Sequence, residues 1–415
     1  MCVKSVTLVL LVGALIWLPR VHSEDFAIIG ATLLPVSSDP IEGGTIYVKN
    51  GKIEAIGQNI QVPEGVKTID GSGRWVMPGI IDTHSHMGVY PWPWAEAHAD
   101  GNEMIHALTP HVRAEDAVFL EDPAFERARA GGVTTVQVLP GSGNLQGGQT
   151  VVLKLRSVNT LEEMKFEGAP RGMKMAFGEN PKRVHVIRDQ IMSRMGNSAV
   201  MRTGFRQAQE YRAKWEQYTI LQDTDHPVSR PDYDPKMETL VDVLDGKIRV
   251  HVHCYRKDDL LAVLRISDEF GFKLASFQHG LECYKIASEL AKRDIGVATW
   301  ADWWGFKLEA FDGIPQNAAL LANAGIRVNI HSDSSDGVQR LFHEASKAIR
   351  YGMNEDHALK ALTIWPASML GVEDRVGSLD VGKDADIAVF SHHPFDVYTL
   401  VQQTFIDGVN VYSRK

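Results

Sequence analysis

Pro78-Gly79-Ile80-Ile81-Asp82-Thr83-His84-Ser85-His86 is an apolar run that ends in two histidines separated by a single residue. Read as a strand, it puts residues two apart on the same side, so the imidazoles of His84 and His86 converge on one point. Neutral imidazole suits zinc, iron and nickel, and such a pair at the end of a buried parallel strand is a candidate ion site. A lone His-x-His also arises in ordinary cores. What decides between the two readings is the rest of the chain.

Working outward, apolar strand-like runs alternate with helical segments, the pattern of parallel βα units. Strands are predicted over Val76 to Asp82, Val133 to Leu139, Met173 to Phe177, Ile248 to Val252, Lys273 to Phe277, Gly296 to Thr299 and Arg327 to Ile330, with Thr150 to Leu155 as an eighth. Helices over Asp258 to Glu269, Tyr284 to Arg293 and Ala318 to Asn323 show apolar spacing of three to four residues. Further residues of metal-ligand type close these strands. His253 ends Ile248-Arg249-Val250-His251-Val252-His253, His279 ends Leu274-Ala275-Ser276-Phe277-Gln278-His279, and Asp333 follows Ile330-His331-Ser332. They fall on one face, the C-terminal mouth at which barrels of this kind carry chemistry.

The two ends of the chain have another texture. Thr45-Ile46-Tyr47-Val48-Lys49-Asn50-Gly51-Lys52-Ile53 is strand, Asn-Gly turn and strand, and Thr404 to Tyr412 repeats the pattern around Asp407-Gly408. Both ends are expected to pair into one small β-sandwich. Before them, residues 1–23 carry Lys4, an apolar run from Val6 to Leu18 and small residues at Val21-His22-Ser23, the layout of a cleaved signal peptide. The apolar stretch is shorter than the roughly 20 residues that span a bilayer. The expected organisation is a signal peptide over 1–23, sandwich over 24–76, barrel over 77–372 and sandwich again over 373–415. Such a chain is exported, to a periplasm or beyond the cell, and leaves the membrane once the leader is cut.

Composition restricts the partners. Of the 415 residues 44% are apolar and 23% charged, which is globular rather than disordered. The net charge of −9 is spread without blocks of one sign, leaving no basic patch for nucleic acid. After leader removal only Cys254 and Cys283 are left, too few for a disulfide framework; two free thiols are expected. The partner is a small-molecule substrate, and self-association into a homo-oligomer is open.

The order His-x-His, His, His, Asp on successive parallel strands resembles the amidohydrolase superfamily, and in particular its imidazolonepropionase-like members. The segment Gly377-Ser378-Leu379-Asp380-Val381-Gly382-Lys383-Asp384-Ala385-Asp386-Ile387 is similar to that superfamily's return from barrel to sandwich. The resemblance implies an α/β fold, a (β/α)8 TIM barrel with a split sandwich. It also implies one or two divalent ions per chain, zinc above all. His84 and His86 would hold the more buried ion, His253 and His279 the more exposed one, and Asp333 would ligate and act as general base. Strand periodicity alone leaves His251 and His253 equivalent. The resemblance favours His253, with His251 a layer deeper in the core. Asp82 and His331 are weaker candidates for orienting the histidines.

A second ion in this superfamily needs a bridging anion, commonly a carbamylated lysine and in some members a glutamate. In Gly172-Met173-Lys174-Met175-Ala176-Phe177-Gly178-Glu179, Glu179 lies where the strand should end and Lys174 five residues deeper, so Glu179 is the preferred ligand. Lys154 is the other lysine of interest, read as a solvated strand-end residue. Tyr255 and Arg256, just beyond His253, are expected to meet substrate. An arginine at that position departs from the acid carried by related deaminases and by imidazolonepropionase, and suits a substrate carboxylate; a surface salt bridge is its plain alternative. Trp92, Trp94, Trp303 and Trp304 are candidates for a pocket wall. Pro140 to Gln149 is Gly-rich, lacks the Gly-Lys-Ser/Thr ending of a nucleotide loop, and reads as a mobile loop. The function expected is metal-dependent hydrolysis of an amide or cyclic amide, with a deaminase or a non-catalytic binding member as rivals.

Overall fold

The computed structural model describes residues 24–303 and 305–415; the expected leader and Trp304 lie outside the described residues. Among the described residues, chain order gives sixteen strands: β1 Phe26–Leu33, β2 Ile41–Lys49, β3 Lys52–Gly57, β4 Lys67–Asp70, β5 Trp75–Pro78, β6 Ile80–Ser85, β7 Val133–Val138, β8 Gln146–Lys154, β9 Arg171–Ala176, β10 Ile248–Cys254, β11 Leu274–His279, β12 Gly296–Thr299, β13 Val328–Ile330, β14 Ile387–Phe390, β15 Val401–Ile406 and β16 Val409–Ser413. β6 to β13 form one eight-stranded sheet in sequence order, with helices outside it.

The barrel is mixed rather than uniformly parallel. β8 runs antiparallel to both β7 and β9, while the remaining neighbours are parallel. Connection length explains this. Only residues 139–145 separate β7 from β8, and a parallel crossover needs a dozen residues or more. The Gly-rich run expected to be a mobile loop is therefore a buried hairpin that passes into β8. Asn144 anchors it by donating to the Glu103 carbonyl at 2.6 Å and to Thr109 Oγ1 at 2.6 Å.

The first and last barrel strands meet through a side chain rather than a ladder. Asn329 of β13 accepts from the Thr83 hydroxyl at 2.7 Å and donates to the Ile81 carbonyl at 3.2 Å, and the Asp333 amide donates to the His84 carbonyl at 3.0 Å. Asp82 completes the seam. Its carboxylate accepts from the His84 amide at 3.0 Å and from the Ser332 hydroxyl and amide. Burial lifts that carboxyl to about 7, against the pull of its hydrogen bonds from Ser332 and His84. Asp82 thus holds the backbones beneath the histidines and does not orient their rings.

Both chain ends join a second eight-stranded sheet, ordered β16-β15-β14-β5-β1-β2-β3 with β4 beside β1. It is one continuous sheet. Its curvature brings Phe26 of β1 and Phe405 of β15 into a 4.7 Å stack although two strands lie between them. The turns anticipated at Asn50-Gly51 and Asp407-Gly408 have positive φ at all four residues, as tight hairpins of that kind require. The strand expected over Val76 to Asp82 is divided at Gly79 between this sheet and the barrel. A Cβ at Gly79 would lie 2.2 Å from the Thr134 side chain, so the chain passes there only as glycine.

Lys154, expected in solvent, is fully buried at the joint of the two sheets. Its ammonium contacts Asp384 at 2.7 Å, Asp386 at 3.0 Å and Asp407. The Gly377 to Ile387 segment therefore docks on the barrel through charge. Cys254 and Cys283 are buried free thiols, and no described helix is long and apolar enough to cross a membrane.

Candidate metal centre

His84 leaves β6 fully buried, and His86 follows with its side chain 17% accessible. His84 Nδ1 lies 2.8 Å from the Gln278 Oε1, and His86 Nδ1 lies 2.8 Å from the Leu139 carbonyl. Carbonyl oxygens only accept, so each Nδ1 carries the proton and each Nε2 presents a lone pair. Both lone pairs point to one carboxylate: Asp333 Oδ1 is 3.4 Å from His84 Nε2 and 3.3 Å from His86 Nε2. Burial would raise the Asp333 carboxyl, but the facing His86 and the nearby Lys174 outweigh it and hold it below the usual carboxylate range.

The other histidines crowd against His84. His279 lies 4.5 Å away by ring centroid and His331 4.9 Å, while His253 lies 4.6 Å from His279. All are buried, and desolvation pushes their pKa values down, His331 to about 3, so the rings are neutral donors. His279 and Asp333 both have positive φ, 72° and 49°, a conformation that non-glycine residues hold where surrounding structure over-determines it, often at functional sites. His251, also buried, bonds Ser276 Oγ through Nδ1 at 2.8 Å and sits one layer below. His253 is the one whose ring meets His279.

Lys174, set five residues deeper than Glu179 in the sequence, stands beside His84. Its Nζ stands 3.2 Å from His84 Nε2 in a fully buried position, and desolvation lowers its pKa to about 7 despite the attraction of Asp333. Glu179 does not join the donors grouped around His84. β9 ends at Ala176, Gly178 turns with φ 100°, and Glu179 opens the helix Glu179–His185 with its amide donating to Glu309 Oε2 at 2.9 Å. A lysine inside the strand reaches the mouth with its long side chain, whereas a residue past the strand end is carried away with the turn.

Two groups have donor atoms within 4.8 Å of one another, His84 with His86 and Asp333, and His84 with His279 and His331. The residues fit a divalent ion. Buried ring nitrogens of His253, His279 and His331 have no hydrogen-bond partner, and imidazole with carboxylate is a donor set for zinc or its neighbours.

A match to the amidohydrolase family spans residues 75–411 and takes in every one of these groups. The chain belongs to the amidohydrolase family. It is 32% identical over 388 residues to the amidohydrolase tasK of Hapsidospora irregularis, covering 88% of this chain but only 39% of that longer protein. Over 400 residues it is 24% identical to the imidazolonepropionase of Thermoplasma acidophilum, covering 90% of each. The crystal structure of an amidohydrolase from Thermotoga maritima MSB8 superimposes with a TM-score of 0.87 at 40% identity, covering 94% of this chain and all of that one. Like its family, this amidohydrolase is a hydrolase acting on carbon–nitrogen bonds.

Around the histidines the amidohydrolase builds an aromatic wall. Tyr255 lies parallel to His279 at 5.1 Å, Trp300 parallel to it at 4.7 Å, and Trp303 stacks on Trp300 at 5.0 Å. Lys307 sits over the Tyr255 ring at 4.2 Å, bonded also to Glu309 at 2.7 Å and Asn180 at 3.2 Å. Arg256, expected to meet substrate, turns instead to Asp258 through two bonds of 2.9 and 2.8 Å. The alternative of a local salt bridge describes it. Trp92 lies under Arg127 at 4.5 Å and Trp94 is exposed. Lys174, His331, Trp300 and Lys307 had no distinctive spacing in the sequence. Only their burial and neighbours mark them.

Proposed function

We propose that the protein hydrolyses the amide or cyclic-amide bond of a small substrate carrying a carboxylate, such as a dipeptide or a lactam. The observation that carries this reading is the gathering of His86, His279 and Asp333 around His84, with His253 against His279 and the fully buried Lys174 amine 3.2 Å from His84. A divalent ion held there, zinc by choice of donors, supplies Lewis acidity, making a water acidic enough to attack at neutral pH and polarising the scissile carbonyl.

The chain's own residues do the rest. The Asp333 carboxylate, held ionised, takes the proton of the attacking water and returns it to the departing nitrogen. Gln278 and the Leu139 carbonyl keep the Nε2 atoms of His84 and His86 turned inward. The neutral amine of Lys174 could add to carbon dioxide; the new N–C bond would give a carbamate with one proton lost to solvent, and that anion would be a further oxygen donor for a divalent ion in place of Glu179. Tyr255, Trp300 and Trp303 offer a flat apolar wall, and Lys307 replaces Arg256 as the cation for a substrate carboxylate.

A one-ion deaminase is the competing reading, favoured by the single lone pair of His84 that both donor groups share. The test is elemental analysis combined with turnover of dipeptides and N-acyl amino acids against amino-heterocycles. One ion per chain with release of ammonia from a heterocycle would overturn the amidase proposal. We also propose that the protein acts outside the cytoplasm, on the leader-like residues 1–23; an intact N-terminus on the protein recovered from its native source would argue against export.

A further inference from the structure

His331 follows β13 and is completely buried, with neither ring nitrogen hydrogen-bonded. Among the described residues only His253 shares that condition among buried histidines. The contrast with His251 is informative. His251 is equally buried, yet its Nδ1 is satisfied by Ser276 at 2.8 Å, as a core histidine should be. Stripping water from both nitrogens of an imidazole without replacing it is costly, so His331 calls for a partner. Its ring lies 4.9 Å from His84 and 5.1 Å from His279, and Trp300 at 4.6 Å closes the apolar side.

Neighbouring donors identify the partner. The ligating atoms of His84, His279 and His331 fall within 4.8 Å of one another. His84 has one lone pair to give, because its Nδ1 is committed to Gln278. If an ion between His86 and Asp333 takes that lone pair, the ion on His279 needs donors from elsewhere. His331 is beside it.

We infer that His331 is a metal ligand of this chain, sharing with His279 the ion that Asp333 and His86 do not hold. The inference rests on the metal reading proposed above and adds a donor to it. The experiment titrates metal-free wild type, His331→Gln and His331→Phe with cobalt(II) against a chelator, following visible absorption and ions per chain. Expected is at least about tenfold weaker binding of one ion, by the scale known for disturbed metal shells, with an altered cobalt spectrum and unchanged circular dichroism. Equal affinity, stoichiometry and spectrum in a folded variant would overturn it. Should both variants fail to fold, a crystal structure of cobalt-loaded wild type decides: a His331 nitrogen at roughly 2.0–2.3 Å from an ion supports the inference, and one beyond bonding distance sinks it alone. A wild type that takes up no divalent ion overturns the metal reading, and this inference with it.

Discussion

Lys174 Nζ lies 3.2 Å from His84 Nε2, with both side chains sealed from solvent. Burial strips water from the ammonium and lowers the Lys174 pKa to about 7, against the attraction of Asp333. That neutral nitrogen is the nucleophile a carbamate needs. Lys174→Ala should lose about 10²-fold or more in kcat/KM, the scale of removing a group aimed at the transition state, and recover part of it with added acetate or propionate. Glu179→Gln should stay within a few-fold. Steady-state assays of the two variants compare them directly, and the reverse ranking would return the bridging role to Glu179.

Asp333→Asn keeps the shape of the side chain and removes its basicity. Turnover should fall by about 10²–10⁴-fold, the range for a general base, while the melting temperature of the metal-loaded protein changes little. Full activity in a folded variant would refute the proton-transfer role.

Gln278 accepts from His84 Nδ1 and donates to Ser276 Oγ at 2.8 Å, which connects the metal-facing histidine to the layer of His251. Gln278→Leu should weaken metal affinity by about 10–100-fold, as loss of an orienting partner does, read by chelator competition.

Lys307 and Arg256 make opposite predictions for a carboxylate substrate. Lys307→Met should raise KM by about tenfold or more, from the ~1.5–3 kcal/mol of a charge-assisted hydrogen bond, because Lys307 lies over the Tyr255 ring beside His279, whereas Arg256→Ala should leave KM unchanged because that guanidinium turns to Asp258 and not to this wall. An amide substrate lacking the carboxylate should be indifferent to both.

The buried knot of Lys154 with Asp384, Asp386 and Asp407 is a stability element. Lys154→Met leaves buried carboxylates without a counterion and should cost about 3–5 kcal/mol at neutral pH. For Asp384, burial opposes ionisation but Lys154 and Arg375 outweigh it and depress the folded pKa; its contribution is present above the unfolded value of about 4 and is lost as pH falls through the folded one. Lys154 itself is raised, burial notwithstanding, by the three aspartates, so its share is lost only as pH rises beyond the ordinary lysine range. Asp386, lifted to about 6 by burial, runs the other way and works against stability as pH climbs from about 4 to 6. Denaturant midpoints across pH for wild type and Lys154→Met should therefore differ most between these limits.

The sequence by itself determined the placement of His84, His86, His253, His279 and Asp333 at the ends of buried strands, because a strand's twofold period and its C-terminal exit are local properties. It likewise determined the hairpins at Asn50-Gly51 and Asp407-Gly408, where backbone conformation follows from residue type. Tertiary structure alone decided the rest. β8 turns antiparallel because its short connection cannot cross over, and Gly79 divides one apolar run between two sheets because Thr134 occupies the space a side chain would need. Lys174 and not Glu179 stands beside His84 since reach from inside a strand depends on side-chain length and on where the next turn goes. His331 and Lys154 acquire their roles only from burial among particular neighbours, and burial is set by the whole fold rather than by the flanking residues.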